Sequence, residues 1–370
     1  METTFQQVPF WNLFERTKRL GFPEEELLSV YREYGVIRKD DREDNHNRPG
    51  NDLAAYQLVE QGDLVLNKMK TWQGSLGVSP FRGIVSPAYF VYRALTSNDS
   101  QFLHYALRSP RYIKYYAANS KGVRPGQWDL QPEQLDVMKV ALPPLDTQRA
   151  IANYLDRETS EIDAMLDKLD GLGRLLEERL ELAIRAAVSD MERKYPRAAI
   201  QTLGLIHSGD VIPAVMIKDN GEYPVYGGNG LRGHTDSYNQ SSDKLLIGRQ
   251  GALCGNVHLA TGKYWASEHA LVVTPNIEFN AKWLLYVLRN EKLGQLSTAA
   301  AQPGITASAV GRQKVPLPPL DEQERIVAHL DETTARIDAM ITKTRQLKDL
   351  LVERRSALIT AAVTGQIEVH

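Results

Sequence analysis

The chain has 370 residues, of which 42% are hydrophobic and 24% charged, which is enough for two or three domains with cores of their own. Its single cysteine, Cys254, excludes a disulfide framework and fits a reducing compartment, so we expect a cytoplasmic protein. The amino terminus lacks the layout of a signal peptide, and no apolar run approaches the roughly 18 residues that cross a bilayer, so we expect no membrane partner.

The first region of the chain, residues 1–141, is predicted to be a mixed α/β domain. Extended apolar runs at 63–69, 83–93 and 137–143 predict strands. Residues 102–108 have the apolar spacing of a short amphipathic helix.

Basic residues dominate the middle of this region, since residues 64–128 contain nine lysines and arginines against one acidic residue, Asp99. Tyrosines and tryptophans are interleaved with the basic residues after the predicted helix. Lysine and arginine neutralise phosphates, and arginine and glutamine suit hydrogen bonding to base edges. The pattern therefore indicates a DNA-binding surface, with an ordinary solvated face as the alternative. The candidate DNA contacts here are Lys68, Lys70, Gln73, Arg108, Arg111, Lys114, Lys121 and Arg124.

The second region, residues 142–195, predicts a long helix. Pro143 and Pro144 block helix formation, and Asp146 can cap the N–H groups that follow. Apolar side chains then recur with a seven-residue period that is typical of a coiled coil, although Arg179 interrupts the series. The predicted coiled-coil seam of this helix consists of Ile162, Met165, Leu169, Leu172 and Leu176.

The third region, residues 196–316, again predicts a mixed α/β domain. Extended runs lie at 244–251, 264–275 and 313–318, and a short amphipathic helix is predicted at 283–289. This helix repeats the design of the helix in the first region, which suggests that the two domains are diverged copies.

Two glycine-bounded turns in the third region carry candidate contacts. Residues Gly228–Gly233 match G-x-G-x-x-G, a pattern that indicates dinucleotide binding only between a strand and a helix. Polar turn-forming residues follow instead, so we interpret this turn as a close backbone approach to DNA or a simple chain reversal. The candidate DNA contacts here are Asn229, Arg232, Arg249 and Gln250.

The fourth region, residues 317–370, predicts a second long helix. Residues 317–363 repeat residues 142–188 without a gap, with 24 identities in 47 positions. Gly365 is expected to end the helix and leave a short tail. The predicted seam of this helix consists of Ile337, Met340, Leu347, Leu351 and Leu358.

This plan predicts an α+β fold in which two mixed α/β domains are separated by two long helices that form an antiparallel coiled coil, with a pseudo-twofold internal repeat. The net charges of the four regions are +1, −4, +3 and −2 in chain order, so the acidity lies in the helices. Acidic helices favour contact with protein, and the neutral to basic domains favour contact with DNA. At about 1.5 Å rise per residue, some 30–40 paired residues are expected to hold the domains roughly 45–60 Å apart, like a ruler.

The sequence contains no recognisable catalytic or metal-binding motif. There is no G-x-x-x-x-G-K-[ST], no H-E-x-x-H and no pair of cysteines with metal-ligand spacing. We therefore expect a protein that recognises a target but catalyses no reaction and binds no metal. The enzyme alternative, a methyltransferase that uses the glycine-rich turn, requires the isolated chain to bind S-adenosylmethionine.

The chain resembles the specificity (S) subunit of a type I restriction–modification system over essentially its full length. The resemblance rests on the doubled L-P-P-L-D-x-Q-x2-I that leads into each long helix and on the closing AAVTGQIEV at 361–369. The stretches at 27–37, 62–79 and 83–93 are also similar to that family.

The resemblance implies a division into target-recognition domain 1 (1–141), spacer helix 1 (142–195), target-recognition domain 2 (196–316) and spacer helix 2 with a short tail (317–370). Each recognition domain is expected to read one half of a bipartite, asymmetric double-stranded DNA target. Two methyltransferase (modification) subunits are expected to dock on the chain, joined by motor-nuclease (restriction) subunits. The methyltransferase partners, and not this chain, are expected to bind S-adenosylmethionine. The predicted methyltransferase-docking residues are Leu145, Gln148, Ile151, Leu320, Gln323 and Ile326.

Two further alternatives are open at this point. The specificity subunit of a related type II restriction–modification enzyme has nearly the same sequence plan. A coiled-coil scaffold whose two domains bind proteins rather than DNA has the same repeat.

Overall fold

The computed structural model describes residues 5–41, 52–124, 127–297 and 303–369, with the backbone alone considered at 123, 124 and 127. The chain divides into two compact units. Unit 1 contains residues 1–169 and 346–370, and unit 2 contains residues 170–345. Each unit therefore combines one globular region with a part of both long helices.

The globular part of unit 1 is built around a four-stranded antiparallel sheet, with pairs of further strands and short helices beside it. Its strands are β1 (Gln6–Pro9), β2 (Phe14–Thr17), β3 (Leu28–Tyr31), β4 (Gly35–Arg38), β5 (Gln57–Val59), β6 (Leu64–Asn67), β7 (Leu76–Val78), β8 (Gly83–Val85), β9 (Tyr89–Ala94), β10 (Ser120–Arg124), β11 (Gln127–Leu130) and β12 (Lys139–Leu142). Its short helices are α1 (Ser100–Leu107), α2 (Pro110–Asn119) and α3 (Pro132–Asp136). The main sheet has the order β2-β9-β6-β7, and β1 pairs with β12, β3 with β4, β5 with β8 and β10 with β11.

The globular part of unit 2 repeats this topology. A long helix, α4 (Leu145–Lys194), leads into it. Its strands are β13 (Arg197–Ala199), β14 (Gly204–Ser208), β15 (Tyr223–Gly227), β16 (Gly230–Thr235), β17 (Lys244–Gly248), β18 (Val257–Ala260), β19 (Trp265–Ala266), β20 (Ala270–Pro275) and β21 (Lys314–Pro316). Its short helices are α5 (Ile200–Leu203), α6 (Ala281–Asn290) and α7 (Ala307–Gly311), and the second long helix is α8 (Leu320–Val363). The sheet order β14-β20-β17-β18 matches that of unit 1, and β13 pairs with β21 as β1 pairs with β12. A further sheet, β16-β15-β19, has a counterpart in unit 1, where β3 and β4 form a hairpin and Leu27, next to β3, makes a parallel bridge to Ile84 of β8.

Each sheet buries one face under a short helix. In unit 1 the aromatic residues Phe10, Tyr92 and Phe102 are at most 1% exposed, and Phe102 belongs to α1. In unit 2, Trp283 of α6 is fully buried, and its indole N–H donates to the sulfur of Met191. Burial of such large apolar surfaces is the main stabilising contribution in both units.

The two long helices pack antiparallel within each unit. In unit 1, Ile151 and Leu155 of α4 share a core with Ala362 and Val363 of α8. In unit 2, Val188 and Met191 of α4 share a core with Val327 of α8. The internal repeat and the α+β fold that the sequence predicts are therefore confirmed.

The ends of the long helices follow local chemistry. Both helices begin one residue before the predicted aspartate, so Asp146 and Asp321 lie in the first turn. A negative charge there interacts favourably with the helix dipole and stabilises the helix. The second helix ends at a left-handed glycine, Gly365, with φ of 75°. The Gln366 amide donates to the Ala361 carbonyl and the Gly365 amide donates to the Ala362 carbonyl, which is the glycine-terminated capping motif.

The coiled-coil seam differs from the predicted one at alternate positions. Met165 and Leu172 on α4 are 48% and 44% exposed, and Met340 and Leu347 on α8 are both 47% exposed. At these positions the next residue along the chain is half-buried instead: Leu166 and Gly173 on α4, and Ile341 and Lys348 on α8. The observed inner seam is buried or half-buried and consists of Leu155, Thr159, Ile162, Leu166, Leu169, Gly173, Leu176 and Leu180 on α4, and Leu330, Thr334, Ile337, Ile341, Thr344, Lys348, Leu351, Arg355 and Leu358 on α8.

The predicted strands and short helices all correspond to observed elements. The run at 83–93 divides into β8 and β9, and the run at 264–275 divides into β19 and β20. Within the described part of the chain, no helix is both long enough and apolar enough to pass through a membrane.

Candidate nucleic-acid interface

A tight turn after β6 displays Lys68, Lys70 and Gln73 in unit 1. The amide of Met69 donates to the side chain of Asn67, and Thr71 donates through its hydroxyl to the Asn67 carbonyl at 2.6 Å. These bonds hold residues 67–74 in one conformation. Lys68 is half-buried and its ammonium donates to the Pro87 carbonyl, whereas Lys70 is exposed.

The hairpin of β10 and β11 packs against this turn. The rings of Trp72 and Trp128 lie 4.7 Å apart between their centroids. Partial burial raises the pKa of Asp129 on the same hairpin, and the nearby Lys68 opposes that rise. Lys121 is exposed on β10, while the side chain of the predicted contact Arg124 lies outside the described residues.

Helix α2 completes a cluster of exposed cations around the turn. Its tyrosines Tyr112 and Tyr116 are buried, which leaves Arg111 and Lys114 exposed on the other side of the helix. Ile113 packs against Gly74 so closely that an added Cβ would lie 2.9 Å from its Cδ1. We call the cations on these three neighbouring elements, Lys68, Lys70, Arg111, Lys114 and Lys121, the basic cluster.

Arg108 does not belong to the basic cluster. Its guanidinium donates to the Arg32 carbonyl at 2.5 Å and contacts His104 Nε2 at 2.6 Å. Burial, together with the charge of Arg355, lowers the pKa of Arg108 to about 10. Burial likewise lowers the pKa of His104 to about 3, with a further contribution from Arg108. Arg108 is therefore poorly placed for the predicted DNA contact, because both of its Nη groups are engaged inside unit 1.

In unit 2, three of the four predicted contacts line an open cleft of about 560 Å³. Asn229 and Arg232 lie on one wall, Gln250 on the other, and His269 between them. The side-chain amide of Asn256, directly before β18, donates to Asn229 Oδ1 at 2.8 Å and so ties the first glycine-bounded turn to that strand. Arg232 and Gln250 are exposed, whereas Arg249 is half-buried and does not line the cleft.

The repeated glutamines Gln148 and Gln323 are internal rather than surface residues, and both are 2% exposed. Gln148 Nε2 donates to the Pro143 carbonyl at 2.9 Å, and its Oε1 accepts from the amide of Asp99, the N-cap of α1, at 2.9 Å. Gln323 makes the same two bonds, at 2.9 Å to the Pro318 carbonyl and at 2.8 Å from the amide of Asn280, the N-cap of α6. We call these two arrangements the glutamine junctions.

The other predicted docking residues are also buried or half-buried. Ile151 is buried in the core of unit 1, and Ile326 packs against the core of unit 2. Leu145 and Leu320 are half-buried. The prediction that the repeated glutamines and Ile151 dock a partner is corrected by their burial, because a side chain inside the fold has no surface to offer.

A second repeated contact, missed by the sequence analysis, joins each short helix to a long helix. The hydroxyl of Tyr105 donates to Asp156 Oδ1 at 2.7 Å, and the hydroxyl of Tyr286 donates to Asp331 Oδ1 at 2.7 Å. The signal was present, since the two aspartates occupy the same position of the repeat and the two tyrosines the same position of the short helices.

Both long helices expose a second apolar stripe. Leu175 and Leu350, at the same position of the repeat, are 63% and 60% exposed. We call the exposed positions with heptad spacing the outer stripe: Met165, Leu172, Leu175 and Leu182 on α4, and Met340, Leu347 and Leu350 on α8.

The fold and these sites define a duplicated protein in which two similar α/β units carry unlike polar surfaces and share two long helices. Residues 199–349 match the family model described as "Type I restriction modification DNA specificity domain". Over this segment the chain is similar to type I restriction–modification specificity subunits.

Individual relatives show the same similarity. The chain is 40% identical over 110 residues to the type I restriction enzyme EcoprrI specificity subunit of Escherichia coli, which covers 30% of this chain and 27% of that protein. It is 27% identical over 122 residues to the putative type I restriction enzyme specificity subunit S.HindORF215P of Haemophilus influenzae, which covers 32% of each. The matched segments thus span about a third or less of these relatives.

Two solved structures share the fold. One chain, from a study of complex assembly and conformational transition in the type I R-M system, superposes with a TM-score of 0.72 over 99% of both chains at 17% identity. The HsdS subunit from Thermoanaerobacter tengcongensis superposes with a TM-score of 0.55 over 99% of this chain and 98% of the other, also at 17% identity.

Proposed function

We propose that this chain is the DNA-recognition subunit of a type I restriction–modification complex, in which each unit reads one half of a bipartite, asymmetric double-stranded target. One observation carries the proposal. The two units repeat the same sheet order and the same glutamine junction, yet their exposed loops carry different polar side chains. A duplicated framework with unlike loops suits two different half-sites.

The surfaces of the two units support contact with DNA in different ways. The basic cluster of unit 1 presents lysine and arginine side chains that can neutralise phosphates. The cleft of unit 2 presents Arg232 for a phosphate and an amide, Gln250, for a base edge. In this proposal both surfaces act without chemistry, and S-adenosylmethionine binds to partner methyltransferase subunits rather than to this chain. In the described part of the chain, no group of three or more metal-ligating side chains comes together.

Removing charge from the basic cluster is expected to weaken DNA binding independently of sequence. For the Lys70→Gln/Lys121→Gln double variant, in complex with its methyltransferase, the slope of log affinity against log salt is expected to fall by about 2, since each phosphate contact contributes about 0.9. Fluorescence anisotropy on a duplex that contains the target, at several salt concentrations, measures this slope. The matched control is Lys18→Gln/Lys139→Gln, which removes two exposed lysines outside the cluster. An equal loss of slope in both variants contradicts the assignment.

The outer stripe is the proposed docking surface for two methyltransferase subunits, with a motor-nuclease subunit joining the assembly for cleavage of unmethylated DNA. Apolar residues at heptad spacing on an exposed helix face fit further helices packed alongside. Because the stripe occurs at the same repeat positions of α4 and α8, it offers one kind of partner two equivalent places. The acidic helices favour a protein partner over DNA.

Single substitutions in the outer stripe are expected to remove one partner each. Leu175→Glu or Leu350→Glu should leave a complex with one methyltransferase, and the double variant should leave the chain alone, as counted by mass photometry. Neither single variant is expected to change the free energy of unfolding by more than about 0.5 kcal/mol, because both side chains are exposed. The adjacent Leu176, 6% exposed in the inner seam, is the control: Leu176→Ala should cost about 2–4 kcal/mol. Complexes with two methyltransferases in the double variant contradict the docking surface.

A single experiment tests the proposed function as a whole. Single-molecule sequencing of a host that expresses the chain with its methyltransferase should reveal methylated adenines in one bipartite motif, with a gap between two unlike halves. Methylation that is absent, or that follows no gapped motif, contradicts the proposal.

A further inference from the structure

The second glycine-bounded turn of unit 2 offers two neighbouring side chains that could read a base, Arg249 and Gln250. Arginine suits guanine and glutamine suits adenine, so the composition of the turn does not decide between them. The hydrogen bonds of the two side chains decide which of them is available to a base.

Arg249 is already occupied by the protein. Its guanidinium Nη1 donates to Ser208 Oγ at 2.9 Å and to the Glu268 carbonyl at 3.5 Å, and the side chain is half-buried. A guanidinium held against β14 in this way is a support for the turn, since engaging a base with the same donors would break both contacts.

Gln250, in contrast, faces the cleft rather than the protein interior. Its side chain is exposed and lines the cleft, and its Oε1 lies 2.9 Å from His269 Nδ1. Since an amide oxygen can only accept, the imidazole donates this bond. His269 Nε2 lies 3.2 Å from the Glu268 carboxylate on its other side, so the imidazole is held from two directions. Among the described residues His269 is the one partner of the Gln250 side chain, which leaves both amide N–H donors and one lone pair of the oxygen for a ligand.

The backbone under Gln250 is fixed as well. The Arg249 amide donates to the His269 carbonyl at 2.9 Å, and the Gly251 amide donates to the Pro303 carbonyl at 3.0 Å. Gly248 approaches the other wall of the cleft so closely that an added Cβ would lie 1.9 Å from the carbonyl oxygen of Gly228. The contacts between the two turns fix the backbone from which Gln250 extends, and the bond from His269 orients its amide, which favours selective hydrogen bonding to a base edge.

We infer that Gln250, oriented by His269, reads one adenine of the half-site bound by unit 2. Its amide N–H donates to adenine N7, and its oxygen, through the lone pair that His269 leaves free, accepts from the adenine N6 amino group. Arg232, exposed on the facing wall, is placed to contact a neighbouring phosphate. This inference rests on the proposed function.

The test uses the full-length chain in complex with its methyltransferase and a duplex that carries the mapped target. Each adenine of the target is replaced in turn by 7-deazaadenine, which lacks the N7 acceptor, and affinity is measured by fluorescence anisotropy. The wild-type complex is expected to lose about tenfold in affinity at one adenine of one half-site. The Gln250→Ala complex is expected to bind the unmodified target about tenfold more weakly and to show no further loss at that adenine, with its response at the other half-site unchanged.

Controls separate the inference from misfolding and from failure of the proposed function. Gln201→Ala removes an exposed glutamine of unit 2 that does not line the cleft, and should reproduce the wild-type profile. His269→Ala should reduce the loss at the same adenine without abolishing binding. Gln250→Ala with the wild-type response at every adenine overturns the inference and leaves the proposed function standing. A wild-type complex with no sequence preference overturns both, and retention of the wild-type unfolding temperature by Gln250→Ala excludes misfolding as the cause of a changed profile.

Discussion

Insertion of one heptad into each long helix is expected to move the two recognised half-sites about three base pairs further apart and to abolish recognition of the original target. The inserted segments follow Gly171 on α4 and Gln346 on α8, which are the same position of the repeat. Both helices run from one unit into the other. Seven residues add about 10.5 Å of helix, and base pairs are spaced about 3.4 Å along B-DNA. A whole heptad also keeps the inner seam in phase.

Methylated adenines mapped across the host genome report the outcome directly. Both half-sites should be unchanged in sequence, and only the gap between them should grow. Insertion into α4 alone is the control, because it shifts one side of the seam against the other, and it should abolish methylation. Recovery of the original gap after the double insertion contradicts the idea that the helices set the spacing.

Replacing a junction glutamine by leucine is expected to cost about 2–4 kcal/mol in the free energy of unfolding. In Gln148→Leu the Asp99 amide and the Pro143 carbonyl lose their partner in a buried setting, and each buried group left unsatisfied costs about 1–3 kcal/mol. Gln323→Leu does the same to the Asn280 amide and the Pro318 carbonyl. Because the N-cap residues of α1 and α6 lose an anchor, the short helices should loosen first.

Urea denaturation followed by circular dichroism measures the loss, and thermal melts should fall by about 2–4 °C for each kcal/mol. Gln134→Leu is the matched control for unit 1, because Gln134 is exposed, and it should change stability by less than about 0.5 kcal/mol. If Gln148→Leu retains its stability but releases the methyltransferase, the residue docks the partner after all, as the sequence analysis expected.

The internal repeat predicts the secondary structure and the duplication, but not the role of the repeated polar residues. It correctly predicts two long helices, their antiparallel pairing and the division of the chain into similar halves, since apolar periodicity and proline–glycine boundaries are local properties. It does not distinguish a glutamine that holds the fold together from one that binds a partner. Gln148 and Gln323 recur at the same positions in either case, and only their burial tells the two roles apart.

The seam shows a related limit. Both apolar stripes of α4 have heptad spacing, so periodicity alone predicts a seam without saying which stripe faces α8. The inward positions are Leu166 and Gly173 rather than the predicted Met165 and Leu172, and this choice depends on packing between residues far apart in the chain.

By itself the sequence determined the order of elements, the duplication, the distribution of charge and the family resemblance, because these depend on composition and on spacing along one chain. Only the tertiary structure decided which polar residues remain available to a ligand. Arg108 and Arg249 are as basic as Arg111 and Arg232, yet their guanidinium groups are engaged inside the units, whereas Gln250 is exposed and oriented. The physical reason is that a donor engaged within the fold is not free for DNA, and the residues that engage Arg108 and Arg249, Arg32 and Ser208, lie far away in the sequence. His269, which orients Gln250, is likewise distant in the sequence.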